Sequence, residues 1–327
     1  MTRTEHAVSL PVSPHRRNFL AIIISFLTVS FLYLNFEPRP AGADLDASLT
    51  DISSVTAVSP MLASQSEAKT DPNSQEADSA VATDMLAQGK AAMMLNLLLL
   101  EKGYAQFSKF SDYTATFFKR ERVDGILGDG QIVNIKVRHE PFSIYMKWVV
   151  GDRGREVLYV DGENDGKLLV KKGGFAGRLL GALKLDPDGS LAMKESRHPV
   201  TRAGLLNLVG ELIKHRRKEV LLEDGFHCVM LDNQEVNQRP CYGFILEFDD
   251  RTVSRIYRKS VLYLDKELLV PLHLQNYTWP ETEGETDAQK LDEETIIEHY
   301  TFSNIKLNQN LADLDFDRTN ENYSLRR

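Results

Sequence analysis

The sequence predicts an α+β fold: a strongly curved antiparallel sheet, or incomplete β-barrel, of about ten strands with helices on its concave side. Three observations predict it. Residues 131–171 hold three or four consecutive strand patterns joined by short turns. Val133, Ile135 and Val137 share one face of the first, and Phe142, Ile144, Met146, Trp148 and Val150 one face of the next, because successive side chains point to opposite sides of a sheet. A second set of strand patterns follows at about 226–232, 241–248, 256–264, 269–279 and 294–302. Two segments, about 85–110 and 201–218, instead carry apolar residues at helical spacing. A sheet of this kind has one apolar side that something has to cover: its own helices, a protein partner or a lipid.

The chain has 327 residues, 42% of them hydrophobic and 26% charged, ordinary values for a globular protein. The formal net charge is −8. Residues 1–43 carry four Arg against two Glu, so the rest of the chain carries about −10. That excess argues against nucleic-acid binding, which needs a basic face. The two cysteines, Cys228 and Cys241, are too few for a disulfide scaffold or a cysteine zinc site. They fall on successive strand patterns, so they either pair in an oxidising compartment or stay as free buried thiols.

Residues 19–36 form an 18-residue apolar run interrupted only by Ser25, Thr28, Ser30 and Asn35. As a helix it is about 27 Å long, close to the hydrocarbon thickness of a bilayer. Arg16 and Arg17 precede it, which keeps residues 1–18 cytoplasmic and places the rest outside, in the periplasm. The run is longer than a typical signal core and favours a retained inner-membrane anchor. The alternative is a signal peptide cut after Ala43, in the triplet Ala41-Gly42-Ala43. Arg16-Arg17-Asn18-Phe19-Leu20 also resembles a twin-arginine export signal, although two Arg before an apolar helix are common topogenic charges. Residues 44–83 are rich in Ser, Ala, Asp and Thr and lack aromatics; they read as a disordered tether, and 84–327 as the folded domain.

Within that domain, 85–110 reads as a helix with Leu86, Met93, Met94, Leu97, Leu98 and Leu100 in a wide apolar stripe. The stripe is plain core, or it closes over a lipid cavity. Residues 113–123 make the first strand. Residues 175–185 form a small apolar segment after Gly173-Gly174, either a lid or a core turn. Thr201 caps a helix with Leu205, Leu208, Val209, Leu212 and Ile213 on one face, ending in His215, Arg216, Arg217 and Lys218 as the helix dipole favours. Residues 281–293 read as an acidic loop.

Chemical motifs are scarce. Residues 161–166 match the first half of a calcium loop, but its twelfth position is Lys172, so they read as a hairpin turn. Residues 186–190 are a turn signal first. No Gly-x-Ser-x-Gly or His-Glu-x-x-His occurs, and His227 and Cys228 are adjacent, hence on opposite faces of a strand. No catalytic residue, metal site or cofactor is expected.

Several stretches resemble the bacterial family named domain of unknown function 1571. They are Tyr-Thr-Ala-Thr-Phe-Phe-Lys-Arg-Glu-Arg-Val (113–123), Lys-Val-Arg-His-Glu-Pro-Phe-Ser-Ile-Tyr-Met-Lys-Trp (136–148), Gly-Arg-Glu-Val-Leu-Tyr-Val-Asp-Gly (154–162), Leu-Asp-Pro-Asp-Gly-Ser-Leu-Ala-Met (185–193) and Pro-Val-Thr-Arg-Ala-Gly-Leu-Leu-Asn-Leu (199–208). The family brings no known activity. More distantly, the leading helix, the Val-Arg-x-x-Pro-Phe segment (137–142), the stretch 262–272 and the ending 300–308 are similar to the LolA/LolB-type periplasmic lipoprotein carriers. That likeness implies a half-open barrel holding acyl chains under a helical lid. It aligns Arg138 with an arginine that controls the lid, although His139 and Glu140 separate Arg138 from Pro141.

The reading is a membrane-tethered, extracytoplasmic, non-catalytic lipid- or lipoprotein-binding module. Its cavity candidates are Val133, Ile135, Val137, Phe142, Ile144, Met146 and Trp148, and its partners a lipid or acylated protein and the inner membrane. The alternative is an envelope structural or signalling domain with a self-filled core that binds protein; a hydrolase ranks third.

Overall fold

Alternation along the strands carries through to tertiary structure in the computed structural model, which describes residues 85–174, 177, 181–282 and 287–326. The expected anchor (19–36), the tether (44–83) and most of the apolar segment at 175–180 lie outside the described residues. No helix among the described residues is long and apolar enough to cross a membrane.

Among the described residues thirteen strands form one open antiparallel sheet, three more than the sequence suggests. The chain enters through β1 (Met85–Gln88) and α1 (Gly89–Phe107). Next come β2 (Asp112–Val123), β3 (Ile126–Leu127), β4 (Gln131–Arg138) and β5 (Ser143–Val150). Then follow β6 (Glu156–Val160), β7 (Leu168–Lys171), β8 (Leu183–Leu185), the single-turn α2 (Ser190–Met193) and α3 (Leu205–Glu219). The chain ends with β9 (Phe226–Val236), β10 (Arg239–Phe248), β11 (Lys259–Asp265), β12 (Pro271–Tyr277), α4 (Ala288–Thr295) and β13 (Ile296–Leu307). The strand order is β1-β9-β10-β11-β12-β13-β2-β4-β5-β6-β7-β8, with β3 paired to β2. Two meanders are thus joined where β13 lies beside β2, and β1 and β8 are the free edges.

One face of this sheet carries the main core. Val133, Ile135, Val137, Ile144, Met146 and Trp148 pack there with Ala92, Met93, Leu100 and Phe107 of α1 and Leu205, Val209, Leu212 and Ile213 of α3. The two helices are therefore the cover for the apolar side. They are pinned to each other by buried Arg216, whose Nε donates to Asn96 Oδ1 at 2.7 Å, and by Arg217 on Glu101 at 2.7 Å. α1 also lies flush on the β11–β12 turn: a Cβ at Gly103 would stand 1.9 Å from the Leu269 carbonyl oxygen. The other face is covered in part by the C-terminal segment, where Phe316, Tyr323 and Leu325 pack on Tyr145, Leu158, Val160 and Leu169.

Several expectations need correction. The entry helix begins at Gly89, whose φ of +58° breaks the chain from the short strand β1 before it. Thr201 does not cap α3; it lies in a 3-10 turn, and Gly204 with φ +92° starts the helix. The acidic stretch at 281–293 contains α4, nucleated by Asp287 accepting from the Lys290 backbone N–H. Cys228 and Cys241 are both buried and free. In the β9–β10 hairpin Cys228 faces Leu246 and Cys241 faces Gln234, so about six residues, or roughly 20 Å, separate them.

Candidate functional site

The covering helices do not fill the concave face. Between α3 and the sheet lies a cavity of about 250 Å³. Its floor crosses the sheet from β7 to β10 through Leu168, Val157, Met146, Ile144, Ile135, Phe302, Leu274 and Phe248. Its roof is one stripe of α3, Leu208, Glu211, Leu212, His215, Arg216 and Glu219, at i, i+3, i+4, i+7, i+8 and i+11. The apolar stripe read from the sequence therefore splits. Leu205, Val209 and Ile213 join the main core, Leu208 lines the cavity beside charged neighbours, and Leu212 belongs to both.

Of the seven apolar candidates, Ile135, Ile144, Met146 and Trp148 line the cavity. Val133 and Val137 are fully buried in the surrounding core, and Phe142 packs half-buried against it near Tyr159. Arg138 does not reach the cavity. It lies on the face of β4 opposite Val137. There it donates to Asp313 at 2.6 Å and Ser143 Oγ at 3.1 Å and stacks on Phe316.

The wall is not wholly apolar. Antiparallel register sets Glu121 of β2 opposite Glu298 of β13, Glu298 opposite Asn276 of β12, and Asn276 opposite Ser260 of β11. This makes a polar row across four strands, all buried and all lining the cavity. The next row is Lys119 with Tyr300, and the one after is Phe117 stacked on Phe302 at 4.6 Å. Two carboxylates directly opposite one another destabilise a sheet unless they are neutralised. Here Glu121 takes Lys119 at 3.0 Å, the Tyr300 hydroxyl at 2.5 Å and the Arg197 backbone N–H at 3.1 Å. Glu298 takes Arg197 Nε at 2.9 Å, His198 Nε2 at 2.9 Å and Asn276 Nδ2 at 2.6 Å, and Ser260 Oγ donates on to Asn276.

These contacts fix the protonation states. Burial pushes the Glu298 carboxyl up, but the His198 and Arg197 charges and the Asn276 amide outweigh it and bring it down to about 2. Burial likewise raises Glu121, and Lys119 and Tyr300 hold it below the ordinary carboxylate value. The hydrogen bond to Glu298 lifts His198 above its usual 6.5 against the opposing effect of burial. The row also clamps the connector leading into α3. Ser196 accepts from Lys119 at 3.3 Å, and Arg197 and His198 reach Glu298, so the roof is held to the wall by charge as well as by packing.

Sequence reading misses Lys119, Glu121, Arg197, His198, Asn276, Glu298 and Tyr300 as a group, because only strand register assembles them. No group of three or more metal-ligating side chains occurs among the described residues.

The model of one family, described as a protein of unknown function (DUF1571), matches residues 110–325, which span everything from β2 to the C-terminal segment. The chain belongs to the DUF1571 family. No curated protein matches the sequence. Solved structures similar to the DUF1571 domain include a putative outer membrane lipoprotein-sorting protein domain from Vibrio parahaemolyticus. It has 13% identity, covers 69% of this chain and 97% of that one, and gives a TM-score of 0.32. A LolA superfamily protein from Nitrosomonas europaea has 15% identity, 67% and 96% coverage and a TM-score of 0.28. The Mycobacterium tuberculosis lipoprotein LppX has 12% identity, 68% and 98% coverage and a TM-score of 0.38.

Proposed function

We propose that the DUF1571 domain binds an amphiphile non-catalytically, with part of an acyl chain in the cavity under α3 and its polar end toward the charged rim. The observation that carries this is the cavity of about 250 Å³, whose lining is mostly apolar with the polar row of Glu121, Glu298, Asn276 and Ser260 along one side. It is larger than an apolar cavity of about 150 Å³ that takes up benzene, and lies just under the range of drug-sized sites. Each methylene removed from water contributes about 0.8 kcal/mol, so eight of them contribute roughly 6 kcal/mol without any specific polar contact. The connector clamp supports a roof that stays in place while a guest occupies the space beneath it. In this reading the apolar run at 19–36 tethers the domain to the inner membrane from outside the cytoplasm, and the guest is an envelope lipid or the acyl group of a lipoprotein.

Most of the concave face is filled by α1 and α3, and that favours a second reading, a protein-binding envelope domain with a self-filled core. Uptake of an acyl probe separates the two. Delipidated protein should bind a fluorescent fatty acid, phospholipid should displace that probe, and Trp148 emission should change because Trp148 lines the cavity. Absence of uptake across chain lengths would refute the lipid reading.

A further inference from the structure

α1 is apolar on the side that faces away from the core as well as on the side that faces it. Thirteen large hydrophobic side chains are exposed among the described residues, and six of them fall in one twenty-residue stretch: Met85, Leu86, Met94, Leu95, Leu98 and Tyr104. The other seven are scattered over separate elements. Leu98 is 60% exposed and Met94 53%, while Met93 and Leu100 on the opposite side are fully buried. The outward stripe runs Ala91, Met94, Leu95, Leu98, Lys102 and Ala105 at helical spacing, and exposed Lys109 follows just beyond the helix end at Phe107. It is apolar toward its N-terminal end and cationic toward its C-terminal end. It contains no acidic residue, in a chain whose residues beyond 43 carry about ten excess negative charges. Glu101, beside it, is drawn off to Arg217.

We infer that this face of α1, together with Leu86 of β1 just before it and Lys109 just after it, docks on the surface of a phospholipid bilayer, with Leu86, Met94, Leu95 and Leu98 entering the interface and Lys102 and Lys109 reaching headgroup phosphates. Three features select a bilayer over other occupants. The stripe pairs apolar side chains with cations and with Tyr104 at its border, the composition of an interfacial helix. A run of isolated apolar side chains around a convex helix offers no pocket for a protein hot spot to enter. The third feature is the chain leading into the patch. It joins the domain at Met85, with 48 residues between it and the end of the 18-residue apolar run. Under the tethered reading proposed above, a random coil of 48 residues would span roughly 40 Å, so the domain would meet the bilayer at high effective concentration and a shallow patch would suffice. α1 is bolted to α3, the roof of the cavity, through Asn96–Arg216 and Glu101–Arg217, so docking would bring the roof beside the membrane. The inference rests on the lipid-binding reading for its purpose, not for its geometry.

The test uses the full chain reconstituted in vesicles of phosphatidylcholine and phosphatidylglycerol, with an environment-sensitive fluorophore on Leu98→Cys. Cys228 and Cys241 are buried, so labelling goes to the introduced thiol. Ile126→Cys, exposed at the β2–β3 turn, is the control. Brominated acyl chains should quench the Leu98 label by about twofold or more and leave the Ile126 label within about a tenth of its starting signal. Met94→Asp should abolish that quenching with the label still on Leu98. Equal quenching at the two positions would overturn the inference. So would a Leu98 label shielded from aqueous quencher but untouched by brominated lipid, which would mean that protein covers the face. Acyl-probe uptake is measured on the same samples: loss of docking with uptake retained removes this inference alone, whereas loss of uptake with docking retained removes the cavity reading alone.

Discussion

Two histidines on the outer face of the sheet make the fold sensitive to acid. His273 of β12 is buried, bonds Thr301 Oγ1 at 3.1 Å and packs edge-on to His299 of β13 at 5.0 Å. Burial brings His273 down from 6.5 to about 4, and burial together with the His273 and Arg120 charges brings His299 down to about 3. Both values lie below those of the unfolded chain, so the unfolded state binds more protons. Stability is therefore lost as pH falls below 6.5, and the loss continues until the folded-state values are reached. At pH 5 a fully buried imidazole that stays neutral gives up about 2 kcal/mol, from 1.4 kcal/mol for each pH unit below 6.5. His299 is partly exposed and counts for about half of that, so the pair gives up about 3 kcal/mol. His198 acts in the opposite sense: its raised value adds stability as pH falls, so the wild-type curve alone understates the pair. Urea unfolding at pH 8 and pH 5 of the wild type and of a His273→Gln, His299→Gln double variant isolates the effect. The double variant should lose about 3 kcal/mol less than the wild type between the two pH values. Equal losses in the two proteins would refute the assignment of these imidazoles as buried and neutral.

Other outcomes follow from the packing and the polar row. Glu298→Gln leaves the partly exposed Arg197 and His198 without their counter-charge and should cost about 1–3 kcal/mol in urea unfolding. The same variant should lower the His198 value in a proton NMR titration, and an unchanged titration would contradict the pairing. Gly103→Ala drives a methyl into the Leu269 carbonyl and should destabilise by at least about 1–3 kcal/mol in thermal unfolding. Leu208→Trp adds bulk to the cavity roof and should weaken acyl-probe binding by about tenfold while shifting stability by less than about 2 kcal/mol. Added reductant should leave the melting temperature unchanged, and both thiols should react with a thiol reagent only on unfolding, because Cys228 and Cys241 are buried and unpaired.

The sheet is legible in the sequence where one face is apolar and the other polar. β4 and β5 meet that condition, and Val133 to Val137 and Ile144 to Trp148 lie on the core face as alternation requires. The same rule places Arg138 outward next to Val137, so the local pattern, not the family resemblance, gives its position. β1 and β8 are too short to show alternation, and α4 is polar enough to pass for a loop until Asp287 is seen to cap it. The cavity is the harder case. Lys119 and Glu121 share a strand face with Tyr113, Ala115 and Phe117, and that parity is visible in the sequence. Their partner Glu298 lies 177 positions beyond Glu121, and only the β2–β13 register, with an early and a late strand meeting mid-sheet, sets them face to face. Arg197 and His198 sit in a connector with no periodicity, so nothing local marks them as the clamp on that row.

Native mass spectrometry of the purified full chain, followed by solvent extraction of whatever it carries, shows whether the cavity holds a guest. A non-covalent adduct with the mass of a lipid or fatty acid is expected, lost or diminished in Leu208→Trp and regained by delipidated wild type on exposure to envelope lipid extract. A protein that carries no adduct, and gains none from that extract, would contradict the lipid reading.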